Sequence, residues 1–240
     1  MQLKRLEFDE IDSTNLYLKE HYKELPDWTV VSANYQSQGR GRFNRTFEVE
    51  KGLGSICSIL LKEDFALNNF ELLSILTGVA VAKTLEEYRL EPMIKWPNDV
   101  LLNGKKVSGI LLEGVSIDKM EALIVGVGIN VNQTSFDSEL SNATSMQIAS
   151  NKRYCVSAVR EDFIINFCCI YEDFKKGSKE FLAYMRDHNY FKNKEVYALV
   201  NNEKRKIKVL DVLDNGHLLI EDNGKKIEMN SGELTFHNVQ

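Results

Sequence analysis

Cysteine is scarce in this 240-residue chain: Cys57, Cys155, Cys168 and Cys169 are all it has. None forms a C-x-x-C pair and two are adjacent, which excludes zinc-site spacings and a disulfide framework. Reduced thiols fit a reducing compartment, and a cytoplasmic location is expected. Proline is scarcer still, at three residues, so no proline-rich linker divides the chain. No apolar run is long and unbroken enough to span a bilayer. Met1-Gln2-Leu3-Lys4-Arg5 leads into acidic residues rather than into the apolar stretch of a signal peptide. No membrane partner is therefore expected. Positive charge is not in excess either: the formal net charge is −5, which gives no general attraction to nucleic acid.

What the chain has in quantity is apolar surface. Hydrophobic residues make up 43%, enough for a substantial core and too many for a disordered chain. The length suits one large domain or a medium domain with a small one. Ser13-Thr14-Asn15 before Leu16-Tyr17-Leu18 reads as a capped helix start. Thr29 to Tyr35 and Ser55 to Leu61 read as strands, the second buried. Phe70 to Tyr88 carries Leu72, Leu73, Leu76, Val79, Ala80 and Lys83 at helical spacing and predicts a long helix with one wide apolar face. Met93 to Lys95 is a short strand stopped by Trp96-Pro97. Val100 to Leu102 and Val107 to Leu112 flank Asn103-Gly104, a hairpin signal, because both residues tolerate positive φ. Ala122 to Val127 is a further strand, and Val156 to Phe174 a further helix. From Glu195 onward, short strands alternate with turn signals at Asn201-Asn202, Asn215-Gly216 and Asn223-Gly224, a pattern that predicts a small β-barrel. The expected fold is α+β: a mixed-sheet catalytic domain over residues 1–188, then an SH3-like β-barrel over 189–240. No internal repeat is present.

Three segments carry chemistry. Gly39-Arg40-Gly41-Arg42-Phe43-Asn44-Arg45 sets three arginines close together, which repel one another unless an anion sits among them. Guanidinium groups bind phosphate or carboxylate in bidentate fashion, and the glycines let the backbone approach a ligand. A solvated basic loop is the plainer alternative. Lys95-Trp96-Pro97-Asn98-Asp99 is followed by Lys105-Lys106-Val107-Ser108-Gly109. A lysine there would neutralise charge developing on a phosphate, and Asp99 would hold a metal or orient a reacting group. Taken singly, these residues read equally as a turn and an exposed hairpin. Gly126-Val127-Gly128-Ile129-Asn130 ends an apolar strand, where glycines mark a bulge or a close ligand and an asparagine amide can read a nucleotide.

Together the segments resemble the biotin–protein ligase family, in the form without an N-terminal DNA-binding domain. The likeness runs through Asp12 to Asn15, Tyr35-Gln36, Gly39 to Arg42, Lys95 to Asp99, Lys106-x-x-Gly109, Gly126 to Asn130 and Gly232-Glu233-Leu234. It implies activation of biotin by ATP and Mg²⁺ to biotinyl-AMP, then transfer to a lysine of a biotin carboxyl carrier domain. It implies that Ser13, Thr14, Asn15 and Gln36 bind the ureido ring, that Arg40, Gly41 and Arg42 close over biotin and the adenylate, and that Gly109 packs beneath the biotin. Lys106 would contact the biotin carboxylate or the reacting phosphate. Arg42, Lys106 and Asp99 are the catalytic candidates. Asn130, Phe47, Lys95 and Asn98 would hold the nucleotide, Phe47 by stacking on adenine. No residue is assigned to Mg²⁺, no tightly bound prosthetic group is expected, and the oligomeric state is open. The motifs begin at Asp12, so no DNA partner is expected. Phe43, Asn44 and Phe47 depart from the family's loop, and His237 stands where some relatives place an arginine. The alternatives are a lipoate–protein ligase, whose arginine-glycine signature differs, and a non-catalytic biotin-binding module.

Overall fold

The computed structural model describes residues 2–41, 47–200, 203–231 and 234–236. In chain order these form β1 (Lys4–Phe8), α1 (Thr14–His21), β2 (Thr29–Ala33), β3 (Gly54–Leu61), α2 (Asp64–Asn68) and α3 (Phe70–Glu87). There follow β4 (Pro92–Lys95), β5 (Asp99–Leu102), β6 (Lys105–Lys106), β7 (Ser108–Ser116), β8 (Met120–Asn130), α4 (Met146–Ser150), α5 (Val156–Lys175) and α6 (Glu180–Asp187). The last strands are β9 (Glu195–Val200), β10 (Glu203–Val212), β11 (Leu218–Asp222), β12 (Lys225–Met229) and β13 (Leu234–Phe236).

The main sheet has the order β1-β2-β3-β8-β7, with β1 and β2 parallel and the other neighbours antiparallel. β3 is buried along its whole length, as a central strand must be when both sheet faces are covered. Because side chains alternate between faces, β8 divides into two sets. Leu123, Val125, Val127 and Ile129 pack with α3 and α5 in the larger core, while Ala122 and Ile124 pack beneath α1 with Leu18, Tyr22 and Leu60. α1 begins where expected: Ser13 Oγ accepts from Leu16 N–H at 3.4 Å.

α3 is apolar on more than the one face expected. Its buried residues include Leu73, every position from Ile75 to Ala82, and Leu85, because it lies in the larger core between the sheet, α5 and the C-terminal strands. A helix hydrophobic all round is one covered all round. The hairpin also differs from the sequence reading. Asn103 and Gly104 take φ of 51° and 76°, as the turn demands, but the returning strand is only β6. Val107 is the pivot: its N–H donates to Val100 O at 3.0 Å and its carbonyl accepts from Asn130 N–H at 2.8 Å. Beyond it β7 pairs with β8 instead, because β8 offers a far longer partner than β5.

The C-terminal strands make a second antiparallel sheet, ordered β12-β11-β10-β9-β13. Among the described residues no pairing joins β12 to β13, so a closed barrel is not seen there. Its inner residues, Val196, Ile207, Val209 and Leu218, belong to the same core as α3 and α5. No helix among the described residues is long and apolar enough to cross a membrane. A third, three-stranded sheet has the order β4-β5-β6, and one polar bond ties its β4–β5 turn to the C-terminal sheet: buried Trp96 donates Nε1–H to Gly216 O at 2.9 Å. Trp96→Phe should keep most of the packing and leave that carbonyl unpaired, at a cost of about 1–3 kcal/mol. Thermal unfolding should fall by several degrees; an unchanged midpoint would show that water takes the indole's place.

Candidate functional site

The register of three strands hollows out the α1 side of the main sheet. Row by row across β3, β8 and β7, this face carries Leu60–Ile124–Glu113, then Ser58–Gly126–Leu111, then Ile56–Gly128–Gly109. The first row fills the space beneath α1. The next two have glycine where a side chain would stand, and a cavity open to solvent forms there. Two groups are seated directly on the glycines. A Cβ on Gly126 would lie 2.1 Å from Asn15 Oδ1, and one on Gly128 would lie 2.1 Å from the Phe47 ring. The Phe47 ring covers Gly109 as well, where a Cβ would come within 2.8 Å.

The start of α1 supplies the polar wall. Ser13, Thr14 and Asn15 are all buried and line the cavity with Gln36, Arg40 and Gly109. Thr14 N–H donates to Gln36 Oε1 at 2.7 Å, and Thr14 Oγ1 is 3.0 Å from the same oxygen. Ser58 Oγ is 2.7 Å from Thr14 Oγ1 and 2.6 Å from Asn15 Oδ1. Asn15 Nδ2 donates to Glu113 Oε2 at 2.9 Å and to Leu111 O at 3.3 Å. Lys19 stands 3.6 Å from the other Glu113 oxygen. Beside the cavity, burial pushes the Cys57 thiol up to about 12, so it stays protonated and unreactive.

Lys106 and Asp99 form an ion pair on the β5–β6 hairpin, both partly exposed. The backbone there is clamped: Lys106 N–H donates to Asn142 O at 2.7 Å, and its carbonyl accepts from Thr144 N–H at 2.8 Å. Thr144 O in turn accepts from Asn130 Nδ2 at 3.0 Å. Asn130 Oδ1 is buried and meets no donor among the described residues. An unpaired buried carbonyl is costly, and here it marks a place where a ligand or cation can supply the missing partner. Asp99 and Asn130, linked through Val100 and Val107, are hard oxygen donors of the kind Mg²⁺ takes.

Of the residues expected to bind biotin, Ser13, Thr14, Asn15, Gln36, Arg40 and Gly109 meet in one cavity, and Phe47, expected to stack on the nucleotide, lies in that cavity too. Lys106 and Asp99 pair on the hairpin, and Asn130 is joined to that hairpin through the backbone of Val107 and Thr144. Lys95 stands directly opposite Asp99 in the β4–β5 register, while Asn98 faces away from both groups. Asn98 is buried, donates to Ser74 Oγ at 2.8 Å, and lines a separate cavity on the α3 side with Trp96 and Pro97. Lys95 Nζ lies about 6 Å from the Phe191 and Phe236 rings. Gly41 is described but is not part of the cavity wall. Arg42 lies outside the described residues, as do Gly232, Glu233 and His237. Sequence reasoning missed Ser58, Glu113 and the Asn142–Thr144 clamp. A lone serine inside Ile-Cys-Ser-Ile-Leu-Leu was the one available signal for Ser58.

Comparison with known proteins places this geometry. The model of the biotin/lipoate A/B protein ligase family matches residues 7–130. The bifunctional ligase/repressor BirA of Bacillus subtilis is 38% identical over 154 residues, covering 62% of this chain and 47% of that protein. The biotin–[acetyl-CoA-carboxylase] ligase of Paracoccus denitrificans is 36% identical over 132 residues, covering 50% of this chain and 51% of that protein. The aligned region thus spans about half the length of these curated relatives. Among solved structures, the Aquifex aeolicus biotin protein ligase in complex with biotin and ATP superposes with a TM-score of 0.88 at 30% identity, over 98% of both chains.

Proposed function

The chain belongs to the biotin/lipoate A/B protein ligase family, and from that premise we propose that it activates biotin with ATP and attaches it to a lysine of a biotin carboxyl carrier domain. The observation that carries the reading is the glycine-floored cavity with a polar wall at one end and the Lys106–Asp99–Asn130 group nearby. A ureido head on an apolar ring system needs a dry slot with a few fixed hydrogen-bond partners. Ser13, Thr14 and Gln36 offer those partners, and the Phe47 ring and Ile56 offer the apolar wall.

In the first step a biotin carboxylate oxygen attacks the α-phosphorus of ATP, the bond to the β-phosphate oxygen breaks, and pyrophosphate leaves. Both reactants are anions, so the step needs fixed positive charge. Lys106 supplies it from the hairpin and Arg40 from the cavity rim, and we assign Arg42 the same task. Mg²⁺, held by Asp99 and Asn130, would supply further positive charge to the phosphates when bound. In the second step the acceptor lysine's amine attacks the acyl carbon of the mixed anhydride, AMP leaves, and the amine gives up a proton. The clamped backbone of Lys106 fixes where its ammonium is delivered.

We also read residues 189–240 as an SH3-like cap on a catalytic unit of residues 1–188. The support is β10, which is ten residues long, pairs with both β9 and β11, and carries a register shift between Val209 and Asp211. A bulge of this kind bends a strand, as a small barrel requires.

The test is to incubate the chain with ATP, Mg²⁺ and either biotin or lipoate, and to look for the acyl adenylate by mass spectrometry. Biotinyl-AMP is expected, with little or no lipoyl-AMP. Lipoyl-AMP alone would overturn the substrate, and the absence of any adenylate would overturn the activity.

A further inference from the structure

The polar wall of the cavity is one hydrogen short. Its chain of oxygens runs Asn15 Oδ1, Ser58 Oγ, Thr14 Oγ1, Gln36 Oε1, with contacts of 2.6, 2.7 and 3.0 Å. The two ends are carbonyl oxygens and bring no hydrogen. Both are fixed in that orientation. Gln36 Oε1 accepts from Thr14 N–H, and Asn15 Nδ2 faces two groups that can only accept, the Glu113 carboxylate and Leu111 O. The two hydroxyls between them carry one hydrogen each. Three contacts share two hydrogens, so one contact has none.

The inner contacts are fully buried and short, whereas Gln36 is half-buried and its contact is the longest. As the contacts stand, the Ser58 hydroxyl faces both Thr14 Oγ1 and Asn15 Oδ1, and the Thr14 hydroxyl donates to Gln36 Oε1. With the one Ser58 hydrogen spent on Asn15, the Thr14 hydroxyl can turn from the longer Gln36 contact to Ser58, which leaves Thr14 Oγ1 a free lone pair on the cavity wall. That arrangement selects a ligand that brings an N–H.

We propose that Glu113 is a positioning residue for recognition of the ligand head: acting through Asn15 and Ser58, it turns the Thr14 hydroxyl into an acceptor for a ureido N–H. The proposal rests on the reading of biotin as substrate. Lys19, beside the outer carboxylate oxygen, leaves Oε2 free for Asn15. Without Glu113 only the longer contact to Leu111 O holds the Asn15 amide. The amide can then turn over, so that Nδ2 donates to Ser58, Ser58 to Thr14 and Thr14 to Gln36. The chain becomes balanced, and the cavity loses its acceptor.

The test compares wild type with Glu113→Leu and Glu113→Gln by titration calorimetry. The probes are biotin, ATP, and the two cyclic carbamates in which one or the other ureido N–H is replaced by a ring oxygen. Wild type should bind biotin roughly ten- to a hundredfold more tightly than one of the carbamates, the worth of a hydrogen bond to a buried partner. Glu113→Leu should bind biotin more weakly by a similar factor and prefer it over that carbamate by less than about threefold, with ATP affinity unchanged. Glu113→Gln retains an acceptor oxygen and should restore the discrimination. Unchanged discrimination in Glu113→Leu overturns the proposal, and so does an equal loss of biotin and both carbamates, which would mark a purely structural role. A wild-type chain with no affinity for biotin overturns the substrate reading, and the proposal with it.

Discussion

Lys106→Ala is expected to lower the rate of adenylate formation by roughly a hundredfold or more, the usual effect of removing a group that stabilises transition-state charge. The fold should not change. The side chain is half exposed and pairs with Asp99 on the same hairpin, and exposed ion pairs are worth about 0–1 kcal/mol. The backbone bonds to Asn142 and Thr144 do not depend on the side chain. Single-turnover formation of biotinyl-AMP, followed alongside thermal unfolding, separates the two effects. A variant with a wild-type rate would reduce Lys106 to a surface residue. One with a wild-type rate only at raised ATP would place the lysine in nucleotide binding rather than in chemistry.

Gly126→Ala should disrupt the polar wall of the site with a single methyl group. The new carbon would lie 2.1 Å from Asn15 Oδ1, 2.8 Å from Cγ and 2.9 Å from Nδ2, so Asn15 would have to leave its seat. Its departure leaves wholly buried Ser58 with Thr14 Oγ1 as its hydrogen-bond partner. Overpacking costs about 1–3 kcal/mol, and the loss of the Asn15 bond adds about 1 kcal/mol. Biotin affinity should fall by at least about a hundredfold, and the unfolding midpoint by several degrees. Gly114→Ala is the internal control. On the neighbouring strand, its Cβ would meet only the flexible end of Met120, at 3.1 Å, and both quantities should stay near wild type. Equal effects from the two substitutions would show that the loss comes from sheet glycines in general and not from the seat of Asn15.

The parts of this molecule legible in its sequence were those that depend on neighbours along the chain. The Ser13 cap, the turn at Asn103-Gly104, the long helices and the buried strand expected at Ser55 to Leu61 follow from local pattern and steric preference, and each lies within a residue of where the pattern put it. β1 was not foreseen, because Lys-Arg-Leu-Glu-Phe offers only two apolar side chains. α6 was hidden for a similar reason: it buries only Phe181, Leu182 and Met185, too few to read without knowing what covers them. The hairpin was misjudged where local pattern gives way to competition between sheets, since nothing in Val107 to Leu112 reveals that β8 is a better partner than β5. In the site, the polar set of Ser13, Thr14, Asn15 and Gln36 was legible as a motif. Ser58 and Glu113 were not, because their role depends on which residues stand side by side across β3, β8 and β7. That row order exists only once the strands are paired. Asn98 shows the converse: the motif named it, and the fold turned it toward Ser74.

The bond from Trp96 to Gly216 has a consequence for how the protein comes to be made. The strands that frame the cavity are complete once residue 130 has been synthesised, and a nascent chain of that length already holds every cavity residue. The turn that leads into Asp99 does not yet have its partners. Ile94 N–H must wait for the carbonyl of His188, and the Trp96 indole for that of Gly216. Until then that apolar stretch lies open to the ribosome's surroundings. The segment that delivers Asp99 to its place is thus among the last to be secured, although it lies in the first half of the chain, and a fragment ending before the final sheet would carry the whole polar wall of the cavity without the anchored turn beside it.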